Sequence, residues 1–121
     1  MATVKFRLNV SSSTVGPDNL DFTVEKLVTV SEPMSNMSRV TLSAVADTVI
    51  LSGTHSKAYM YFRNTDSAAK VSIKNTADDI LVNMLPGQFA LLPVHENIGI
   101  EAVALSGTPI LEYAYWSNSG G

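Results

Sequence analysis

Residues 4–10 read Val-Lys-Phe-Arg-Leu-Asn-Val, and this alternation of apolar and polar side chains decides the fold. Successive side chains of a β-strand point to opposite faces, so the four apolar residues share one face of a half-buried strand. Residues 22–30 repeat the pattern, and their apolar face comprises Phe22, Val24, Val28 and Val30. Lys26 and Leu27 interrupt it, which indicates a bulge or a sheet edge at that point.

Shorter segments of the same character fill the rest of the chain. They are Arg39–Leu42, Thr48–Leu51, Ala58–Asn64, Val71–Asn75, Ile80–Met84, Gln88–Leu92, Ile98–Leu105 and Ile110–Trp116. Turn-forming sequences separate them, among them Ser31-Glu32-Pro33, Asn64-Thr65-Asp66-Ser67, Pro86-Gly87 and Ser106-Gly107-Thr108-Pro109. No window sustains a helical period.

Roughly eight to ten short strands in 121 residues predict an all-β fold, an antiparallel two-sheet β-sandwich that is jelly-roll-like. We expect one domain over residues 1–116 and a flexible C-terminal tail over 117–121. Residues 11–21 and 31–38 leave the strand pattern for longest, and a binding function or a subunit contact is expected there. The sequence leaves the strand order open.

Composition excludes several classes of function. The formal net charge is −3, and the eight basic residues stand singly, which disfavours a nucleic-acid partner. The chain has no cysteine, so disulfides and thiolate metal sites are absent. No apolar run suits a signal peptide or a membrane span, and we expect a soluble protein that is not exported by the usual route. Only 16% of the residues are charged, which is typical of a subunit that packs against other copies.

No group of residues predicts catalysis or a bound cofactor. His55 and His95 are the two histidines, each in a turn, and they show no spacing suited to a metal site. A small hydrolase or isomerase would need both to converge with Glu96 or Asp66. Asp78 and Asp79 are adjacent in a predicted hairpin connection, where turn formation explains them better than acid–base chemistry.

Aromatic and methionine residues supply the candidate interface. On alternating strands Tyr59 and Tyr61 share one face, and Tyr113 and Tyr115 share another, with Trp116 beside them. Carbohydrate stacking, a cross-strand aromatic ladder and an oligomer interface all fit this pattern. Met34 and Met37 stand in a polar segment. We expect them to be covered, either by a contact with another subunit or by the segment folding back on its own sandwich. The candidate interface residues are Met34, Met37, Tyr59, Tyr61, Tyr113, Tyr115 and Trp116.

Residues 58–116 contain an ordered set of motifs. Arg63-Asn64-Thr65-Asp66 ends one strand, Pro86-Gly87 leads into an apolar strand, and Leu111-Glu112-Tyr113 lies on the last. This order resembles small all-β structural proteins of tailed bacteriophage virions.

The resemblance implies a non-enzymatic virion protein, with no cofactor and no catalytic residues. A capsid decoration or cement subunit is the main expectation: a homo-oligomer, with a trimer favoured, that binds the major capsid protein or other virion proteins and stabilises the head shell. It would be located in the virion after synthesis in the host cytoplasm, with neither nucleic acid nor a membrane as a partner. The alternative is a carbohydrate- or receptor-binding β-sandwich module of the tail or a fibre.

Overall fold

The computed structural model describes residues 2–14 and 20–118, and every regular element in them is a β-strand. The ten strands are β1 Ala2–Ser12, β2 Leu20–Met34, β3 Ser38–Thr41, β4 Thr48–Leu51, β5 Ala58–Asn64, β6 Val71–Asn75, β7 Ile80–Met84, β8 Phe89–Val94, β9 Ile100–Ala104 and β10 Ile110–Asn118. These described ranges include no helix that is long and apolar enough to cross a membrane.

The strands form two antiparallel sheets, which confirms the predicted sandwich. Sheet A has six strands in the order β1-β2-β10-β5-β8, and β3 also pairs with β10. Sheet B has four, in the order β4-β9-β6-β7. The eight strands from β3 to β10 therefore divide into β3-β10-β5-β8 and β4-β9-β6-β7. This order is that of two Greek keys folded into a jelly roll.

One apolar core lies between the two sheets. Inward-facing residues alternate along the strands, as in β5, where Met60 and Phe62 are fully buried and Tyr59, Tyr61 and Arg63 point away. Each large side chain buried in this way contributes about 1.5–3 kcal/mol relative to exposure. The core combines Met60, Phe62 and Leu111 from sheet A with Val71, Ile73, Met84, Ile100 and Ala102 from sheet B.

Turn chemistry is where expected between the core strands. Gly87 has φ of 79°, and the amide of Gln88 donates to the Leu85 carbonyl at 3.1 Å, so Pro86 and Gly87 occupy the centre of a turn that needs a positive φ. Asp78, also at positive φ (65°), closes the β6–β7 hairpin, as predicted for the Asp78-Asp79 pair.

Two predictions about segment ends are wrong. Ser31-Glu32-Pro33 is not a turn, because β2 continues to Met34 and pairs with β10 across an irregularity in register. A proline can stand there since, among the described residues, this part of β2 pairs with a strand on one side only. β10 also continues to Asn118, two residues into the stretch 117–121 for which a tail was predicted, and Ser117 is fully buried. Residues 119–121 and 15–19 lie outside the described ranges.

β1 and β2 form a long hairpin that extends the jelly roll. All eleven residues of β1 pair with β2, from Ala2 opposite Val30 to Ser12 opposite Leu20. Only the final part of β2, from Val30 to Met34, pairs with β10. The rest of the hairpin runs past the end of sheet A where Asn118 lies. We call this part of the hairpin, residues 4–12 and 20–28, the arm.

Candidate interaction surface

The arm bends over the outer face of sheet A at its base. The Phe6 ring lies 4.8 Å from the Tyr59 ring and 5.4 Å from the Trp116 ring, centroid to centroid. Tyr59 and Trp116 are cross-strand partners on the face of sheet A that points away from the core. Tilted and edge-on aromatic pairs of this kind add about 0.5–1.5 kcal/mol each to the area they bury.

The arm has one polar face whose groups are satisfied within the hairpin. Glu25 forms ion pairs with Lys5 at 3.6 Å and Arg7 at 3.3 Å. The Asn9 amide donates to the Thr23 hydroxyl at 2.8 Å. This face therefore has its own cross-strand partners and is suited to contact with water.

The opposite face of the arm is apolar and largely uncovered beyond Phe6. It carries Leu8 and Val10 from β1 and Leu20, Phe22 and Val24 from β2, in cross-strand register. Leu8 and Phe22 are each 44% exposed and Val24 is 56% exposed. Among the described residues of this face, Lys26 is the only charged one. Beyond its base, the arm therefore presents an apolar face that the described residues of the chain leave exposed at Leu8, Leu20, Phe22 and Val24.

A second uncovered apolar strip lies on the outer face of sheet A. Phe89 is 66% exposed and Leu91 is 44% exposed, both on the edge strand β8. Their cross-strand partners on β5 are Arg63 and Tyr61. The arm base covers the Tyr59 end of this face and leaves the Phe89 end open.

A buried carboxylate lies in the middle of the same face. Glu112 is 7% exposed; its Oε2 accepts from Arg39 Nη2 at 3.1 Å and its Oε1 from the Tyr61 hydroxyl at 3.0 Å. The hydrogen bond from Arg39, followed by that from Tyr61, lowers the pKa of Glu112. Burial, together with the bond to Glu112, raises the pKa of Tyr61. The group is thus an ionised carboxylate with fixed partners, which orders the surface around it.

Both methionines of the candidate interface lie where β2 passes into β3: Met34 is the last residue of β2, and Met37 lies in the turn that follows. Met34 is 41% exposed and Met37 is 57% exposed. Ser35 ties this turn to β10, because its amide donates to the Tyr115 carbonyl at 2.8 Å and its Oγ accepts from the Tyr115 amide at 3.1 Å. Met34 also borders a shallow depression with Trp116 and Val4, at the base of the arm. The exposed methionines are thus held in place beside the arm.

The four interface tyrosines do not share one surface. Each pair shares a face as predicted, but Tyr59 and Tyr61 lie on the outer face of sheet A, whereas Tyr113 and Tyr115 lie on the core side. The rings of Tyr113 and Tyr115 are stacked, with centroids 6.5 Å apart, and both are half-buried against the core. Their contribution to an interface would come from their partly exposed edges only.

The two histidines have different surroundings. His55 is buried, with Nε2 2.7 Å from the Ile98 carbonyl oxygen and Nδ1 in contact with the Ser56 carbonyl. His95 is exposed, and its Nδ1 lies 2.9 Å from the Glu96 carbonyl oxygen. Asp66 is used elsewhere: its Oδ2 accepts from the amides of Ala68 and Ala69, and these bonds lower its pKa. His55, His95 and Asp66 thus each have a local structural role.

One cluster of carboxylates was missed by sequence reasoning. Asp47, Asp78 and Glu101 bring ligand atoms within 4.8 Å of one another. The Lys74 ammonium lies at 3.0 Å from Asp47 and 2.9 Å from Asp78, and the hydrogen bonds raise its pKa to about 12. A cationic side chain thus already pairs with two of the three carboxylates and offsets one of their three negative charges. The three acidic residues are far apart in sequence, so only the folded sheet reveals them.

The Arg63-Asn64-Thr65-Asp66 motif has a structural role in the turn after β5. Asn64 is fully buried, and its Nδ2 donates to the carbonyls of Ala69 at 2.8 Å and Met84 at 3.3 Å. Its Oδ1 accepts from the Asp66 amide. The side chain of Asn64, on β5 of sheet A, therefore binds the backbone of β7 in sheet B.

Comparison with known proteins gives no match: no protein-family model, curated protein or solved structure corresponds to the chain. The features that indicate a function are therefore those of the chain's own surface.

Proposed function

We propose that the protein is a non-enzymatic structural subunit that works by assembling with further copies of itself. The observation that carries this proposal is the apolar face of the arm, on which Leu8, Leu20, Phe22 and Val24 are exposed. Contiguous apolar patches that are exposed on a protein surface mark sites of protein–protein contact. The exposed strip at Phe89 and Leu91, and the exposed Met34–Met37 turn, give the same chain further apolar surface for such contacts.

The more specific proposal is a decoration subunit on the head of a tailed bacteriophage. It is supported by the ordered motifs of residues 58–116, and by the jelly roll, an architecture used in viral capsid domains as well as in lectins and cupins. Fold alone does not establish function. In this role an oligomer, with a trimer favoured, would bind the major capsid protein and stabilise the shell by binding only its assembled form.

A binding assay tests the virion role directly. Head shells of a tailed phage whose genome carries the coding sequence of this chain, prepared without the protein, are mixed with the purified protein and sedimented. We expect saturable co-sedimentation and a higher temperature of shell disruption. Failure to bind either expanded or unexpanded shells would exclude the decoration role and leave the tail roles.

A carbohydrate-binding module is the second candidate, favoured by one depression. Lys57, Tyr59, Pro93 and His95 border a shallow cavity of about 320 Å³ at the end of sheet A. The ring of Tyr59 and polar side chains beside it are the groups that bind a sugar ring. A glycan array, repeated with Tyr59→Ala, tests this candidate: binding that persists in the variant would exclude this cavity.

A further inference from the structure

We infer that the apolar face of the arm docks on the outer face of sheet A in a second copy of the chain, over the strip formed by Leu91 and Phe89. This inference rests on the proposed assembly function and specifies the two surfaces that meet.

The apolar face of the arm already contacts the outer face of sheet A within one chain. Phe6, on the apolar face of the arm, packs against Tyr59 and Trp116, on the outer face of sheet A. The two faces are therefore complementary where they touch. Leu8 and Val24 continue the first face, and Leu91 continues the second, yet all three remain at least 44% exposed.

The arm is long enough to extend well beyond its contact with sheet A. β1 runs parallel to β10, since both are antiparallel to β2, so the arm leaves sheet A at the end marked by Ala58 and Asn118. Six residues separate Phe6 from Ser12, which places the end of β1 about 20 Å beyond the aromatic contact. This outer part of the arm leaves Leu8, Phe22 and Val24 exposed in its own chain, so they are available to a neighbouring copy.

The apolar area exposed on the arm and the strip is large enough for a contact between two copies. Four arm residues (Leu8, Leu20, Phe22, Val24) and two strip residues (Phe89, Leu91) together expose on the order of 600 Å² in one copy. A reciprocal exchange of arms between two copies would bury roughly twice that amount, which reaches the lower end of the size range of a specific protein–protein interface. In a trimeric ring each copy would bury the same area, divided between its two neighbours. Lys5, Arg7 and Glu25 stay outside the contact because they lie on the other face of the arm, and Lys26, opposite Phe6, is the one charged residue among the described residues of the apolar face.

Cross-linking tests the inference, since the chain has no cysteine of its own. A Val24→Cys protein is mixed with a Leu91→Cys protein, allowed to exchange subunits and treated with a short bis-maleimide. Only a contact between copies can join the two different proteins. We expect a covalent heterodimer as the main product. The control mixture pairs Val24→Cys with Val49→Cys, a residue that is 60% exposed on the outer face of sheet B, and should give at most a tenth as much.

Two further variants separate this inference from the proposed function. Phe22→Asp should dissociate the oligomer, whereas Leu27→Asp, on the polar face of the same strand, should leave its mass unchanged. An oligomer that survives Phe22→Asp and gives no Val24–Leu91 product would overturn the arm contact while the assembly function stands. A wild-type protein that is monomeric at every concentration would overturn both.

Discussion

The ring of Phe6 lies 4.8 Å from that of Tyr59, although two strands, β2 and β10, separate their strands in the hydrogen-bonded order of sheet A. Such a contact requires the β1–β2 hairpin to coil over the outer face of the sheet. It fixes the base of the arm and leaves its outer part without cover.

Removing the Phe6 ring should loosen the arm. We expect Phe6→Ala to lower the free energy of unfolding by about 1–2 kcal/mol, less than at a fully buried site, because two ring contacts are lost on a half-buried face. Denaturant unfolding measures this, and limited proteolysis should cut the arm faster. The control is Leu27→Ala, at a side chain that is 68% exposed on the polar face of the arm, for which we expect a change within about 0.5 kcal/mol. Equal effects of the two variants would contradict the proposed anchoring.

Asn64 should be required for stability. Asn64→Ala leaves the buried carbonyls of Ala69 and Met84 without their donor, and we expect a loss of about 2–4 kcal/mol. Thermal and denaturant unfolding measure the loss. Asn83→Ala, at an exposed position on β7, serves as the control. A loss below about 1 kcal/mol for Asn64→Ala would mean that water replaces the amide.

The Glu112 carboxylate should make stability depend on pH in the acid range. Arg39 and Tyr61 lower its pKa in the folded protein from the ordinary 4.5. The unfolded chain therefore binds the proton more readily, and the stability that the carboxylate contributes is present above pH 4.5 and lost as the pH falls through the lower folded pKa. Melting temperatures of wild type and Glu112→Gln should differ at pH 7 and converge in acid. Glu32→Gln, at an exposed carboxylate, is the control. A difference that stays constant from pH 7 to acid would show that Glu112 acts by packing alone.

Met37 tests whether the β2–β3 turn belongs to the interface. Met37 is 57% exposed, so Met37→Asp should leave the free energy of unfolding of a single chain nearly unchanged. If copies cover this side chain, we expect the dissociation constant to rise at least tenfold, about 1.4 kcal/mol. Dilution series by light scattering measure it, with Val45→Asp, at a 94% exposed side chain, as the control. An oligomer unaffected by Met37→Asp would remove this turn from the interface.

The sequence predicts the strands well where turn residues bound them. β4, β5, β6 and β7 have the predicted limits because Gly, Pro, Asn or Asp residues lie near their ends. Pro33 led to the wrong prediction of a turn at residues 31–33, since a proline is compatible with a strand that is paired on one side only.

Other features depend on long-range pairing and could not be predicted. Alternation shows that Tyr113 and Tyr115 share a face but not that this face is the core side of sheet A. The same pattern describes a covered strand and an uncovered one, so the exposure of Phe22 and Val24 becomes visible only once the arm is seen to leave the sheet.

The mass of the purified wild-type protein in solution, measured by light scattering after size exclusion over a wide dilution range, tests the central claim most directly. We predict a closed oligomer that persists on dilution, with a trimer at three times the 13.0 kDa of the chain favoured. A mass of one chain at every concentration would contradict the account.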